Sequence, residues 1–383
     1  MHHSIFSSVV CLICSGHYII FFCFLFSSNR RLPSLWQSFK FYISSARFLL
    51  LLFYCTVMMQ RSLRLCSKSL FWRDFPHARL VVLNRESALN AMNMEMLKEM
   101  RRAYIQEPHP KGEACLFVLK GMGTKSFCAG GDVVSITKEK ETAEEFFYRE
   151  YQLNYHILTM PNTQVSLWNG YVMGGGVGVS VHGRYRVASE RAVFAMPETA
   201  IGLFPDVGAS WFLPRLKIPG VGLYLGLTGA RLKGADLVHA GLATHYVPSA
   251  SFEELEGRLC EVENALDVEA CLQQFAVKDL PPFTLENDRK TLKDIFALRE
   301  ELTIQDIFGA LSANGSNFAQ ATIELLKKMS PTSLCLCLEM LKRGEFLSDP
   351  AHAFSMDYTA AMRSCANSDF SEGVRALLVD KTK

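Results

Sequence analysis

"VFAMPETAIGLFPDVGAS", Val193 to Ser210, holds two carboxylates, Glu198 and Asp206, in a run that is otherwise almost wholly apolar or small. Burying a carboxylate without a partner is costly, so such a group sits where hydrogen bonding or catalysis requires it. Glu198 follows Pro197 at the end of an apparent strand, "AVFAM", which puts it on a rigid element as a catalytic base demands. Asp206 follows Pro205, ahead of "GASWFLPRL", which reads as a helix. Two readings stay open for it: a pocket carboxylate, or the N-cap of that helix.

Two glycine turns precede this stretch, each after an apolar strand: "FCAGGD" (Phe127 to Asp132) and "NGYVMGGGVG" (Asn169 to Gly178). Glycine lets backbone N–H groups approach a ligand closely and tolerates positive φ. Either turn alone reads as an ordinary tight turn packing strand on helix. Together, upstream of a carboxylate pair, they read as two convergent N–H donors, an oxyanion hole, with a helix N-terminus behind the second. Glu150, in "FFYREYQLN", can reach the same cleft or stand exposed beside Arg149. Cys128 reads as a small buried residue, and His182 and His245 as structural, since no ligand-like or nucleophile–base spacing surrounds them. Three familiar motifs fail. Val179 and Val181 occupy the third-glycine positions of a dinucleotide fingerprint, Thr124 replaces a phosphate-loop glycine, and His182 stands where a nucleophile elbow needs glycine.

Around this centre the texture is α/β. "ARLVVLN", "ACLFVLKG" and "TQVSLWNGYV" read as strands and "YRVASERAVFAMP" as two short strands around a turn, with "NAMNMEMLKEMRRAYIQ", "TAEEFFYREYQLNYHILTM" and "GVGLYLGLTG" as helices between them. That alternation predicts stacked ββα units over residues 78–251. From about Phe252 the pattern turns helical, through "FEELEGRLCEVENAL" to "SLCLCLEMLKRG", and reads as a helical region over 252–383 that caps the first. A formal net charge of +2 and the absence of a basic, aromatic-laced stripe argue against nucleic acid as a partner. The 12 cysteines are scattered, and the single CxxC, Cys11 to Cys14, lacks a second pair. No zinc site or disulfide framework is expected, and no metal.

The N-terminus has a different character. Residues 8–26, "SVVCLICSGHYIIFFCFLF", carry no formal charge and are long enough for a membrane span. From Met58 the chain reads "MMQRSLRLCSKSLFWRD", with Arg61, Arg64 and Lys68 and no acid before Asp74, the composition of a mitochondrial transit peptide. The expectation is therefore an apolar extension over 1–57 that is cleaved or non-native, a transit-like segment over 58–77, and membrane contact only if the apolar run is real.

"FCAGGD", "NGYVMGGGVGVSVHGRYRVASE", "FAMPETAIGLFPDVGASWFLPRL" and "YLGLTGARLKGADLVHAGLATHYV" together resemble the enoyl-CoA hydratase/isomerase (crotonase) superfamily, and within it the hydrolases of 3-hydroxyisobutyryl-CoA. The resemblance runs from about Ala78 to Asp380 and includes "SPTSL" and "DFSEGVRALLVDK". It implies a crotonase-like spiral of ββα units with a C-terminal helical region and an acyl-CoA substrate. CoA is then part of the substrate and no separate cofactor is needed. It matches Gly131 and Gly175 to the oxyanion-hole N–H donors and Glu198 to the catalytic carboxylate. Asp206 matches a carboxylate that places the substrate hydroxyl and assists catalysis, Glu150 and Gly175 match substrate-binding positions, and the backbone near Ala129 falls by the CoA adenine. It also implies a role in valine breakdown in the mitochondrial matrix, and it allows a homo-oligomer. Two-glutamate hydratases of the superfamily carry their second glutamate where this chain has Gly178, which favours thioester hydrolysis over hydration. A hydratase or isomerase using Glu198 alone, or an inactive acyl-CoA-binding homologue, are the alternatives. "LNRES" lacks the usual proline after "LNR", and the family usually continues some tens of residues beyond Lys383.

Overall fold

A computed structural model of the chain describes residues 10–14, 17–21, 68–110, 116–137, 140–264 and 266–382. It divides into two units, Met1–Arg64 and Leu65–Lys383. In the first, β1 (Val10–Cys14) and β2 (His17–Phe21) pair as an antiparallel hairpin. The apolar stretch expected as a membrane span is thus strand where it is described, and no described helix is long and apolar enough to cross a membrane. The rest of that expectation lies outside the described residues.

The second unit is built from two sheets. Six strands, in the order β12 (His245–Tyr246), β9 (Tyr185–Ala188), β7 (Gln164–Trp168), β5 (Leu116–Gly121), β4 (Ala78–Leu83) and β3 (Leu70–Asp74), form one. All neighbours are parallel except β3 and β4. Four strands, in the order β11 (Leu232–Lys233), β10 (Val193–Ala195), β8 (Tyr171–Met173) and β6 (Ser126–Cys128), form the other. Each successive chain turn gives one strand to each sheet: β5 then β6, β7 then β8, β9 then β10. The stretch "TQVSLWNGYV" therefore splits between the two sheets rather than forming one strand, and the two strands expected in "YRVASERAVFAMP" fall one in each sheet. This is the expected spiral of ββα units. Because β3 pairs along its length with β4, the folded sheet begins upstream of Ala78, inside the stretch expected as a leader.

The large sheet is covered on both faces, which explains why its strands are continuously apolar rather than alternating. Val81, Leu83, Phe117, Leu119 and Trp168 point into the main core shared with the small sheet and the helices. Their neighbours Leu80, Val82, Leu116, Val118, Val165 and Leu167 point to the other face, which the helices Phe252–Glu261 and Asp267–Phe275 cover through Leu255, Leu259, Val268 and Leu272. The helical region continues as predicted through Arg289–Phe296, Ile304–Asn314, Asn317–Leu326 and Pro331–Glu345. It then adds two helices that the sequence pattern does not announce, Pro350–Ala366 and Ser368–Val374. The first is capped by the Asp349 side chain with Pro350 at its start, and it packs against the Lys140–Thr159 helix.

Candidate active site

In the small sheet β10, β8 and β6 are adjacent and parallel, so their C-terminal ends open side by side. The loops that leave those ends carry the two glycine turns and Glu198. This is the general position of ligand sites in open α/β sheets, because connections must diverge there and leave a crevice.

The two glycine turns meet. Gly174 has φ +46° and ψ −121°, a conformation open in practice only to glycine, and it caps the Gly175–Val181 helix. A Cβ on Gly175 would lie 3.3 Å from the Gly131 nitrogen and 2.4 Å from Glu150 Oε1. A Cβ on Gly174 would lie 2.8 Å from Glu198 Oε1. Neither the Gly131 nor the Gly175 N–H is taken by a backbone carbonyl among the described residues. Two N–H groups and two carboxylates therefore converge on one small space that no side chain at 174 or 175 is allowed to fill.

Glu198 stands three residues past β10, at the start of a 3₁₀ turn over Glu198–Ile201. It is 6% exposed, and its Oε2 has no hydrogen-bond partner among the described residues. Glu150 comes from the Lys140–Thr159 helix and is 2% exposed, its Oε1 likewise without a partner among them. It is not the exposed ion-pair residue of the alternative reading, for Arg149 pairs with Glu145 instead. Asp206 is 4% exposed and accepts a 2.7 Å hydrogen bond from the Tyr151 hydroxyl at Oδ2. The N-cap reading of Asp206 fails: the following short helix, Ala209–Phe212, has Gly208 at its N-cap and no side-chain cap.

These three buried carboxylates have no cation beside them among the described residues, and each charge raises the proton affinity of the next. Burial pushes Glu150 well above its ordinary value, with Asp206 and Glu198 adding to it. Burial, then Asp206, does the same to Glu198. Asp206 rises only to about 6, with burial raising it and the Tyr151 hydroxyl favouring its anion. Among the described residues no His, Cys, Asp and Glu cluster has the geometry of a metal site.

Val207, the residue after Asp206, has φ +52°, and Gly208 has φ +81°. Left-handed backbone is an outlier for a β-branched residue and costs on the order of 1–3 kcal/mol. The Val207 carbonyl accepts a 2.8 Å hydrogen bond from His182 Nε2. The Gly208 N–H donates at 2.7 Å to Oδ2 of Asp357, a fully buried residue of the Pro350–Ala366 helix. Sequence reasoning missed two residues here. Tyr151 shares the buried helix face of Phe147 and Asn154, where a hydroxyl needs a partner. Asp357 sits between Phe354 and Ala360–Ala361 on an apolar helix face, the one signal that could have betrayed it. Cys128 is buried, and burial raises its thiol to about 12, so it is inert as expected. His182 has a structural partner, as read, but one bonded to the site. Phe194, Met196, Leu203 and Phe204 are buried in the main core, with the partly buried Ile201 packed against it.

The spiral and this cluster at its strand ends define a crotonase-fold enzyme. Residues 78–383 match the enoyl-CoA hydratase/isomerase family, and the chain belongs to that family. Among its relatives is the mitochondrial 3-hydroxyisobutyryl-CoA hydrolase of Dictyostelium discoideum, 42% identical over 317 residues, 79% of this chain and 82% of the relative. The 3-hydroxyisobutyryl-CoA hydrolase 1 of Arabidopsis thaliana is 41% identical over 321 residues, 80% of this chain and 83% of the relative. Among solved structures, a carnitinyl-CoA dehydratase from Mycobacterium thermoresistibile superposes with a TM-score of 0.76 at 32% identity, over 82% of this chain and 91% of that one. An enoyl-CoA hydratase from Rhodobacter sphaeroides gives 0.71 at 31% identity, over 82% and 90%.

Proposed function

We propose that this chain hydrolyses the thioester of 3-hydroxyisobutyryl-CoA to 3-hydroxyisobutyrate and CoA, the reaction named for its relatives at about 40% identity. In this reading the thioester oxygen lies between the Gly131 and Gly175 N–H groups, which stabilise the negative charge it gains on attack. Glu198, beside that carbonyl, either takes a proton from the attacking water or attacks the carbon itself to form a mixed anhydride that water then opens. Either way the C–S bond breaks, and the CoA thiolate leaves and takes up a proton. Asp206, held by Tyr151, accepts a hydrogen bond from the substrate's 3-hydroxyl, and Glu150 supports the acyl end of the substrate. The backbone near Ala129 is the proposed contact for the CoA adenine. The substrate is the only small molecule the reading requires. The protein is assigned to mitochondria, and its proposed compartment is the matrix, where valine is degraded. A homo-oligomer is compatible with it.

The observation that carries hydrolysis over hydration is the surroundings of Gly178. A Cβ there would lie 2.7 Å from both the Asn154 amide and Val207 Cβ, so no second glutamate fits. Among the described residues, the acids that act on this pocket together with Glu198 are Asp206 and Glu150. Incubating the purified protein with 3-hydroxyisobutyryl-CoA and, separately, crotonyl-CoA tests this. Free thiol from the first with no loss of enoyl absorbance from the second is expected. Loss of enoyl absorbance without free thiol would establish a hydratase instead.

A further inference from the structure

The strained residue beside Asp206 is gripped from three sides. Its side chain packs onto Gly178, where a Cβ would come within 2.7 Å of Val207 Cβ and 2.9 Å of its Cγ1. His182 Nε2 donates to its carbonyl, and the ring is itself fixed edge-on between Phe212 and Phe354. Asp357 holds the next N–H, that of Gly208, and its other oxygen receives the Ser210 hydroxyl at 3.4 Å. These grips come from separate parts of the chain. Gly178 and His182 lie on and just past the Gly175–Val181 helix, whose first residue supplies an oxyanion-hole N–H. Asp357 comes from the far C-terminal region.

Two of the grips carry a cost of their own. Gly178 gives up helix propensity, and Asp357 is a fully buried acid with no cation paired to it among the described residues. A left-handed valine persists only when its surroundings over-determine it. We propose that Asp357, His182 and Gly178 are positioning residues that lock Val207 in its left-handed conformation and so aim the Asp206 carboxylate at the substrate's 3-hydroxyl. The inference rests on the function proposed above. It makes the C-terminal helical region part of the specificity apparatus, acting through the backbone at Val207 and Gly208.

The test is the ratio of kcat/KM for 3-hydroxyisobutyryl-CoA to that for isobutyryl-CoA, which lacks the hydroxyl, measured on full-chain variants shown to be folded. Asp206→Ala is the control and is expected to collapse the ratio. Misplacement by about 1 Å can cost up to about 100-fold, so Asp357→Ala and His182→Phe are expected to lower it by about tenfold or more. Phenylalanine keeps the ring packing of His182 and removes only its N–H. Asp357→Asn still offers an oxygen to the Gly208 N–H, so it is expected to keep the ratio within about threefold. If Asp357→Ala fails to fold, His182→Phe decides. A ratio left unchanged by folded Asp357→Ala and His182→Phe, but lost in Asp206→Ala, overturns the positioning role and leaves the hydrolase reading standing. A ratio kept by Asp206→Ala overturns the role of Asp206 itself, and the purpose of the grip with it.

Discussion

Replacing Asp206 by asparagine is expected to make the protein more stable while it destroys preference for the hydroxylated substrate. The native state holds the Asp206 carboxyl at about 6 against an ordinary 3.8. At 1.36 kcal/mol per pH unit, that difference amounts to about 3 kcal/mol at pH 7. The sign follows from proton counting. Between 3.8 and about 6 the folded chain binds more protons than the unfolded one, so stability falls as pH rises through that window and stays low above it. Asparagine is isosteric, keeps an oxygen for the Tyr151 hydroxyl and never ionises. It also relieves Glu150 and Glu198 of a neighbouring negative charge. The Asp206→Asn protein is therefore expected to gain up to about 3 kcal/mol at pH 7, worth several degrees of melting temperature, and the gain should shrink as pH falls through about 6 towards about 4. Urea unfolding of both proteins at about pH 7.5 and about pH 5, with midpoints and m-values compared, reads it. A gain that is absent, or the same at both pH values, would refute the claim that an uncompensated carboxylate is stored there for function.

The ascending limb of the ratio of kcat/KM for 3-hydroxyisobutyryl-CoA to that for isobutyryl-CoA, followed against pH, is expected near 6, where Asp206 ionises, and pH–rate profiles on both substrates from about 5 to about 8 would show it. Tyr151→Phe removes the hydroxyl that favours the Asp206 anion, so that limb is expected to move to higher pH. A limb that stays in place would mean that another group controls the rate. Gly178→Glu is expected to destabilise the fold by about 1–3 kcal/mol or more, because its side chain meets Asn154 and Val207, and to confer no crotonyl-CoA hydration. Gly175→Ala puts a methyl group 2.4 Å from Glu150 Oε1 and is expected to cut turnover by about 10²–10³ while the protein still melts cooperatively.

Much of this site is legible in the sequence because its parts are local. The "GGG" turn, "FCAGGD" and "AMPE" each declare a strand end followed by a glycine or a carboxylate, and parallel pairing of β6, β8 and β10 brings those ends together. The sequence does not say that "TQVSLWNGYV" divides between two sheets, because two short apolar strands separated by Asn169–Gly170 look like one. It leaves Asp206 undecided between cap and pocket, since the deciding partner, Tyr151, lies 55 residues away. Asp357 is invisible for the same reason on a larger scale. Its meaning depends on an N–H 149 residues upstream, and its helix, rich in alanine and serine, has a weak periodic signal. The sequence does not separate β3, "LFWRD", from the transit-like stretch around it, because it carries the basic and apolar residues of a transit segment as well as those of an edge strand.

In the proposed reaction Glu198, beside the paired glycine N–H groups, drives release of CoA from 3-hydroxyisobutyryl-CoA. Following free thiol on that substrate with the wild-type protein and a folded Glu198→Gln variant tests it most directly. Steady release by the wild type, reduced by about 10² or more in the variant, is the predicted result. Equal release by both proteins would contradict the account.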